Sequence, residues 1–501
     1  MKKYLIILTV LSLIGASIIF FVTQNYGVGV TPDSIGYLHV AEQFTHGETI
    51  SLTNEPPLYP AALALLSSLF KIDPLSSARI INVILFGLTI FLSGLLYKRY
   101  LSSSLIFNII GIITILVSIP LIPVYLEAWT EPLFILFVTL SLVIFELYSV
   151  KKNKASLLLL SLSVALACLT RYPGVVLILM GIMSIVLLTK QKIKTKIFDS
   201  FYFVLISSLP IALWIIRNIL ISGKLAGDRI QAAPSSLWEN INSTVISILG
   251  WYLPYRNEIN PILIAGVFCI IGLSIGIYYK EIWIENTPNL SWQYPYMFLI
   301  AIYIILIITA STLSFSDPVG DRFLSPIFIP FNLLLLYYLL ELIKPFRLQF
   351  GEKKAEYLLI ILLIVGIIFP TIRTGNTLLN QRNEGTSYTS KSWRESETVQ
   401  YFISKLSTCP VYSNGSDAIH FLTGKQVNSV PVKKNGALVV SSISQLKNNW
   451  PNEDNICLVW FDQITWRKNY FTPEELISIT DLRNQVKLKD GTIYYLSKIN
   501  P

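Results

Sequence analysis

Apolar runs of about 18 to 22 residues, each long enough to cross ~30 Å of hydrocarbon as a helix, recur along this chain. They limit its possible folds more than any other feature. Only 14% of the 501 residues are charged, whereas roughly 25% are charged in a typical soluble protein. The sequence therefore predicts an α-helical polytopic membrane protein.

Eleven runs are candidate membrane spans. They lie at residues 4–22, 78–97, 103–120, 128–149, 155–170, 173–189, 200–220, 261–279, 295–314, 324–343 and 356–373. The first run is followed by no A-x-A cleavage site, so we interpret it as a retained span rather than a signal peptide. Lys and Arg concentrate in every second loop, which is typical of cytoplasmic loops. We therefore expect a cytoplasmic N-terminus and an extracytoplasmic C-terminus.

Toward its C-terminal end the chain becomes more polar and its apolar segments shorten. "SWRESETVQYFISKL" and "SDAIHFLTG" are typical of helices, and "CPVYSN" and "CLVWF" of short buried strands. Residues 485–497 have the pattern of a terminal hairpin that turns at Asp490-Gly491. We expect a transmembrane domain over residues 1–374 and a small extracytoplasmic α/β domain over residues 375–501.

The four cysteines fall into two pairs. Cys168 and Cys269 lie within predicted spans, where a thiol usually serves as a small apolar side chain. Cys409 and Cys457 each precede a predicted strand of the outer domain. If these strands are parallel neighbours, the two thiols lie close enough to form a disulfide in an oxidising compartment. The alternative is a pair of buried free cysteines.

The first outer loop, residues 23–77, contains the amphipathic segment "VTPDSIGYLHVAEQF". Its apolar face has the spacing of a helix and consists of Tyr37, Val40, Ala41 and Phe44. We expect a short interfacial helix that Asp33 or Ser34 caps and that ends near Gly47. A capping aspartate keeps one oxygen free for chemistry. Farther along, "NEPPLYPAALALL" places a second carboxylate, Glu55, at the same membrane face.

Several function classes are disfavoured. The net charge of +9 does not indicate nucleic-acid binding, because Lys and Arg lie mostly in short loops and form no continuous basic face. The sequence has no GxxxxGK[ST] motif and no strand followed by GxGxxG, so we expect no nucleotide cradle. His39 and His46 are two helical turns apart and make a poor metal pair. Since the first loop also lacks a DxD motif, we expect no obligatory metal and no other cofactor.

Two motifs of the first outer loop occur in order, "PDSxxYLxxAExxxxG" and then "EPPLYPxxLALL". Four later stretches follow them, "YLEAWTEPLFILFVTLSL", "LTRYPGVVLIL", "WIIRNILISGKLAGDR" and "DRFLSPIFIP". Together they resemble GT-C fold glycosyltransferases, in the bacterial branch related to protein mannosyltransferases and lipid A aminoarabinose transferases. The resemblance covers most of residues 1–345.

The resemblance implies a glycosyltransferase of the bacterial plasma membrane. Such enzymes transfer a sugar, with inversion, from a polyprenyl-phosphate donor to an extracytoplasmic glycan, lipid or protein. In the family the aspartate at the Asp33 position is the proposed general base, and Glu55 is the next candidate catalytic carboxylate. Ser34 stands where many relatives have Glu, and no Lys separates Glu55 from Pro56 as in the aminoarabinose branch. These departures leave the donor sugar open.

The leaving phosphate needs cations at the outer face, and the fork of an arginine binds two phosphate oxygens. The candidates at outer span ends are Arg171, Arg217, Arg229 and Arg322, of which Arg322 best matches the family in "RFLSP". Each has a structural alternative, since arginines at span ends also snorkel or pair with nearby carboxylates. The other candidate substrate-binding residues are Tyr37, Tyr59 and Glu131.

Two other functions remain open. A lipid-linked sugar flippase, or another transporter, usually carries charged residues in the middle of its spans. Here the charges cluster at the outer edges, except for Glu146 near an inner end, which favours the glycosyltransferase. A receptor or scaffold that works through its outer domain needs only an anchor, and ten further spans are excessive for that purpose.

The lysine distribution yields a test of topology. A reporter that is active only in the cytoplasm, fused after Pro501, should give no signal, because an odd number of spans places the two termini on opposite sides. The same reporter fused near residue 152 should be active. A strong signal from the C-terminal fusion would contradict the predicted orientation.

Overall fold

The computed structural model describes residues 2–48, 50, 55–101, 105–189, 191–225, 235–254, 292–313, 318–342, 351–406, 409–435, 439–440 and 443–499. Up to residue 384 the described chain is helical. Its helices are α1 (Lys2–Val22), α2 (Pro32–His46), α3 (Leu58–Phe70), α4 (Pro74–Tyr100), α5 (Leu105–Leu116), α6 (Leu121–Tyr125), α7 (Glu131–Lys151), α8 (Lys154–Thr170), α9 (Val175–Leu188), α10 (Ile193–Ser222), α11 (Leu237–Gly250), α12 (Gln293–Leu313), α13 (Asp321–Leu324), α14 (Phe328–Leu342) and α15 (Glu352–Glu384). Short 3-10 turns at Tyr172–Gly174 and Ser325–Ile327 lead into α9 and α14.

The described residues contain seven helical stretches long and apolar enough to cross a membrane. They are Lys2–Val22, Pro74–Tyr100, Glu131–Lys151, Ile193–Ser222, Gln293–Leu313, Asp321–Glu341 and Glu356–Glu384, and shorter apolar helices occupy Leu58–Phe70, Leu105–Leu116, Lys154–Thr170 and Tyr172–Leu188. The protein is therefore a multi-pass membrane protein.

Ten of the eleven predicted spans coincide with helices of the structure. The remaining span, 261–279, lies outside the described residues. The span predicted over 103–120 corresponds to α5, which has 12 residues. A helix of that length extends only about 18 Å, less than the ~30 Å of a bilayer core, so α5 alone is too short to cross in a straight line. The number of spans therefore stays a prediction.

A cluster of polar side chains around Asn332 is hydrogen-bonded inside the helical bundle. The Asn332 amide of α14 donates to the hydroxyls of Tyr97 on α4 and Thr114 on α5, at 2.8 and 2.6 Å. Its carbonyl oxygen accepts from the hydroxyl of Tyr252, just after α11, at 3.1 Å. Hydrocarbon supplies no hydrogen-bond partner, so such groups must pair within the protein. The network holds α14 against α4 and α5, and thereby fixes the helix that follows α13.

The predicted interfacial helix is α2, and Gly47 ends it in the left-handed conformation at φ 69°. The predicted cap was wrong. Thr31, not Asp33 or Ser34, is the N-cap, and its hydroxyl accepts from the backbone N–H of Ser34 at 3.4 Å. Pro32 explains the shift, because proline favours the first helical position and so starts the helix two residues earlier than a cap at Asp33 would. Asp33 therefore lies in the first turn, and its carboxylate is free of a capping role.

A small C-terminal sheet domain, called the outer domain after its predicted location, follows α15, whose helix continues past the predicted boundary at residue 374. Its elements are α16 (Lys391–Arg394), α17 (Glu397–Lys405), β1 (Val411–Ser413), α18 (Ser416–Thr423), β2 (Asn428–Ser429), β3 (Lys434–Asn435), β4 (Val439–Val440), α19 (Ile443–Asn449), β5 (Asn455–Phe461), α20 (Pro473–Ile477), β6 (Thr480–Lys487) and β7 (Gly491–Lys498). The helix predicted over "SWRESETVQYFISKL" is divided into α16 and α17, because Ser396 starts a new helix by capping it.

The main sheet of the outer domain has the order β2-β1-β5-β7-β6. β1 pairs in parallel with both β2 and β5, and β7 pairs antiparallel with β5 and β6. The predicted terminal hairpin is confirmed as β6 and β7. Because β1 and β5 are parallel neighbours, Cys409 and Cys457 meet, with their Cα atoms 5.9 Å apart, and form a disulfide. Of the two alternatives for these cysteines, the disulfide is confirmed.

Candidate active site

Asp33 lies at the second position of α2, and its side chain is 49% exposed. One of its carboxylate oxygens lies 2.8 Å from Nη2 of Arg322, the second residue of α13. Sequence analysis named both residues separately, as base and as phosphate ligand. In the structure they form an ion pair across 289 residues of chain (322 − 33). This pair is the centre of the candidate site.

Arg322 also binds a carboxylate that is fully buried. Its Nε lies 2.6 Å from Oε1 of Glu131, the first residue of α7. Arg171, in the extended junction between α8 and the following 3-10 turn, pairs with the same oxygen. A buried carboxylate is costly unless it is paired, so the two guanidinium groups stabilise Glu131 and Glu131 fixes both of them. The four side chains together carry no net charge.

Trp129 supports both members of the Asp33–Arg322 pair. The guanidinium carbon of Arg322 lies 4.0 Å from the centroid of the Trp129 ring, a cation–π contact. The indole N–H of Trp129 donates to the Thr31 hydroxyl, the cap of α2, at 2.8 Å. Sequence analysis missed this residue, although "EAWTEP" places it two positions before Glu131. A tryptophan so close to a candidate carboxylate was the available signal.

Tyr37 and Tyr59 pack against each other. Both rings are buried, and their centroids lie 5.6 Å apart in an edge-to-face arrangement. Burial raises the pKa of Tyr37 well above its ordinary value, and the negative charge of Glu55 raises it further. Tyr37 therefore stays protonated, with its hydroxyl able to donate.

The two remaining predicted arginines are not seen among these ion pairs. Arg217, near the end of α10, donates from Nη2 to the backbone carbonyl of Ile50 in the first loop at 2.5 Å. Its guanidinium also lies over the ring of Trp214, 4.6 Å from the centroid. Arg229 lies outside the described residues. Arg217 therefore holds the first loop against α10.

Glu127 is a second buried carboxylate that sequence analysis missed. It lies between α6 and α7 and is 6% exposed. Its Oε1 accepts from the hydroxyls of Thr386 at 3.0 Å and Ser387 at 2.9 Å, just after α15. Burial raises the pKa of Glu127 to about 7, against the lowering effects of the two hydroxyls and of Arg322. In the part of the chain that the structure describes, no three His, Cys, Asp or Glu side chains are grouped so as to hold a metal ion.

The described site can therefore supply a carboxylate that is partly open to solvent and paired with Arg322, while Arg171 is paired with the same buried Glu131 as Arg322.

No protein-family model matches the chain, and no curated protein sequence matches it either.

Solved structures do match. ArnT from Cupriavidus metallidurans in the apo state aligns with a TM-score of 0.57 and 12% identity, over 97% of each chain. The same protein bound to undecaprenyl phosphate aligns at 0.55 and 11%, again over 97% of each. An Archaeoglobus fulgidus oligosaccharyltransferase in complex with Zn and sulfate aligns at 0.50 and 10%, over 90% of this chain and 68% of that one.

The chain has the GT-C fold. The match spans both the helical part and the outer domain, since it covers nearly the whole length of both proteins. The GT-C fold expected from the two first-loop motifs and the four later stretches is thereby confirmed. At these identities the similarity establishes the architecture, and the roles of individual residues depend on the contacts described above.

The raised pKa of Glu127 predicts a specific pH dependence. The folded protein binds the Glu127 proton more tightly than the unfolded chain does, so this residue makes folding less favourable as pH rises from about 4.5 to about 7. Over this pH range the contribution of Glu127 to the free energy of unfolding falls by roughly 3 kcal/mol. Glu127→Gln cannot titrate, so its unfolding midpoint in detergent should fall less between pH 5 and pH 8 than the parental midpoint. Parallel pH curves for the two proteins would contradict the assignment.

Proposed function

We propose that this protein is a membrane glycosyltransferase that transfers a sugar from a polyprenyl-phosphate donor to an extracytoplasmic acceptor. The observation that carries the proposal is the Asp33–Arg322 ion pair within a GT-C fold. It sets a partly exposed carboxylate 2.8 Å from a guanidinium, so a proton acceptor adjoins a phosphate-binding group. The structurally similar ArnT binds undecaprenyl phosphate, which supports a donor of that class.

In the proposed reaction Asp33 is the general base. It accepts the proton of the acceptor hydroxyl while the hydroxyl oxygen attacks the anomeric carbon of the donor sugar. The bond from that carbon to the phosphate oxygen breaks, and the phosphate leaves with the bonding electrons, so the configuration inverts. General-base assistance is typically worth ~10²–10⁴-fold in rate. The exposed half of the Asp33 side chain gives the acceptor access.

Arg322 and Arg171 neutralise the leaving phosphate. In the free protein their charges are balanced by Asp33 and Glu131, so a phosphate competes with a carboxylate for each guanidinium. Glu131 is fully buried and paired twice, whereas Asp33 is half exposed. The phosphate therefore replaces Asp33 at Nη2 of Arg322. Donor binding thereby releases the Asp33 carboxylate from Arg322, and the acceptor binds after the donor.

Residues just after α15 hydrogen-bond to the first loop, as Tyr388 does to Val30 at 2.9 Å. This contact supports a location of the first loop and residues 375–501 on the same side of the membrane. Together with the lysine distribution, this contact supports a reaction on the extracytoplasmic side, with residues 375–501 as an outer domain.

The transporter alternative is weaker. Glu146, the one charge that the sequence placed away from the outer edge, lies near the opposite ends of the spans and is paired with Arg99 at 2.5 Å.

Asp33→Asn tests the base. Thr31 is the cap of α2, so the substitution leaves the capping hydrogen bonds in place and the protein should fold and insert normally. An amide cannot accept the hydroxyl proton, so sugar transfer should fall at least ~10²-fold. Transfer is measured in liposomes from radiolabelled polyprenyl-phosphate sugars to envelope fractions of a deletion strain.

The matched control for that experiment is Asp73→Asn. Asp73 also lies in the first loop but, unlike Asp33, it caps a helix, α4. Since asparagine caps about as well as aspartate, this variant should keep its activity. If Asp33→Asn transfers sugar at a near-parental rate, Asp33 is not the base and Glu55 becomes the next candidate.

Arg322→Lys and Arg322→Ala test the phosphate contact. Lysine keeps the charge but lacks the planar fork, so it should retain part of the donor affinity, and alanine should retain less. Donor affinity is measured by binding of a polyprenyl-phosphate sugar, with the thermal midpoint as a check on folding. Arg99→Ala removes a paired arginine at the opposite end of the spans and serves as the control. Unchanged donor affinity in both Arg322 variants would reduce Arg322 to a structural role.

A further inference from the structure

The segment that precedes the Asp33 helix, residues 27–31, lies between two other pieces of chain. On one side the N–H of Gly29 donates to the carbonyl of Leu126 at 2.8 Å, and the N–H of Ala128 donates to the carbonyl of Gly29 at 2.9 Å. On the other side lies the linker segment, residues 385–390, which connects α15 to the outer domain. Its Tyr388 N–H donates to the carbonyl of Val30 at 2.9 Å. Residues 27–31 are thus held from both sides.

Glu127 connects the two flanking pieces directly. Its carboxylate receives the hydroxyls of Thr386 and Ser387 from the linker segment, at 3.0 and 2.9 Å. It also lies against the backbone of Gly29, where a Cβ atom would come within 2.0 Å of Oε2 and within 2.6 Å of a Thr386 methyl carbon. Only glycine fits there without displacement. The carboxylate therefore fills the space between the first loop and the linker segment.

The other end of the linker segment is fixed to the outer domain. The Tyr388 hydroxyl donates to Asp417 on α18 at 3.0 Å, and Asp417 also pairs with Arg467 at 2.6 Å. The Tyr388 ring packs edge-on against Trp393, which in turn packs against Phe461 at the end of β5. The linker segment is therefore attached both to the sheet of the outer domain and to Glu127.

The contacts reach the candidate base within a few residues. Gly29 is two residues before Thr31, which caps α2, and Asp33 follows in the first helical turn. Building on the proposed function, we propose that Glu127, Thr386 and Ser387 are positioning residues that hold the Asp33 carboxylate in place, and that the outer domain is part of the active-site scaffold. It stabilises the catalytic loop through the linker hydroxyls rather than by contacting substrate.

The test removes the two linker hydroxyls while nearly preserving side-chain shape. Thr386→Val with Ser387→Ala deletes both hydrogen bonds to Glu127. The hydroxyl-preserving variant is Thr386→Ser, which keeps both hydroxyls and leaves Ser387 unchanged, because the φ of 51° at that position disfavours a β-branched side chain. Ser387→Ala alone is a milder variant in case the double variant does not fold. Ser392→Ala is the control, because the Ser392 hydroxyl bonds to Ser390 and not to Glu127.

Steady-state kinetics of sugar transfer and amide hydrogen exchange are both measured on the full-length protein in liposomes. For the hydroxyl-free variant, kcat should fall about tenfold to hundredfold, because small misplacements of a catalytic group have effects of that size. The KM for the polyprenyl-phosphate sugar should change little, since the arginines are untouched. Amide hydrogen exchange in residues 33–38 should become faster, and this readout needs no substrate. The hydroxyl-preserving variant should restore most of the parental kcat and exchange.

The outcomes separate this inference from the proposed function. Faster exchange in residues 33–38 of the hydroxyl-free variant supports the positioning role even if no tested sugar is transferred by the parental protein, in which case only the proposed function fails. Parental exchange in that variant, or a loss of kcat equal to that of Ser392→Ala, overturns the positioning role. The positioning role is also overturned if the hydroxyl-preserving variant shows the same loss of kcat as the hydroxyl-free variant.

Discussion

The burial of Glu131 is the constraint on which the candidate site depends. A carboxylate without solvent access at the end of a membrane helix must be paired, and its partners come from two other parts of the chain, Arg171 and Arg322. Pairing brings the α8–α9 junction, α13 and the start of α7 to one place. Arg322, held there by Glu131 and by the Trp129 ring, then presents its outer nitrogen to Asp33. The position of the partly exposed carboxylate thus follows from the requirements of the buried one.

Local patterns in the sequence predicted most of the architecture. The length of the apolar runs located the long helices, and alternation with turn residues located β5 and the β6–β7 hairpin, because these features depend on neighbouring residues. Where two local signals competed, the prediction failed. At the start of α2 three residues can cap a helix, and the proline between them decided in favour of Thr31. The ends of short helices such as α5 depend on packing and are not encoded in hydropathy alone.

The candidate site was only partly predictable for a different reason. Asp33 and Arg322 were found because they occur in motifs that resemble a known family. Trp129 and Glu127 act through contacts with residues far along the chain, Thr31 at a separation of 98 and Thr386 at 259. No local spacing reports such contacts. A buried glutamate beside a glycine is visible only once the fold has brought segments 27–31, 126–128 and 385–390 together.

The length of α15 has a consequence for how chains of this architecture can vary. With 33 residues it extends about 50 Å, well beyond a hydrocarbon core of ~30 Å. Its outer part is already fixed in rotation, since Thr374 donates to the Val117 carbonyl and Gln381 to the Gly27 carbonyl. Removing one residue after Gln381 would turn the linker by about 100° and draw it back by about 1.5 Å. Insertions and deletions can therefore accumulate in surface loops of the outer domain, while the number of residues between Gln381 and the end of α15 at Glu384 is fixed by helical geometry.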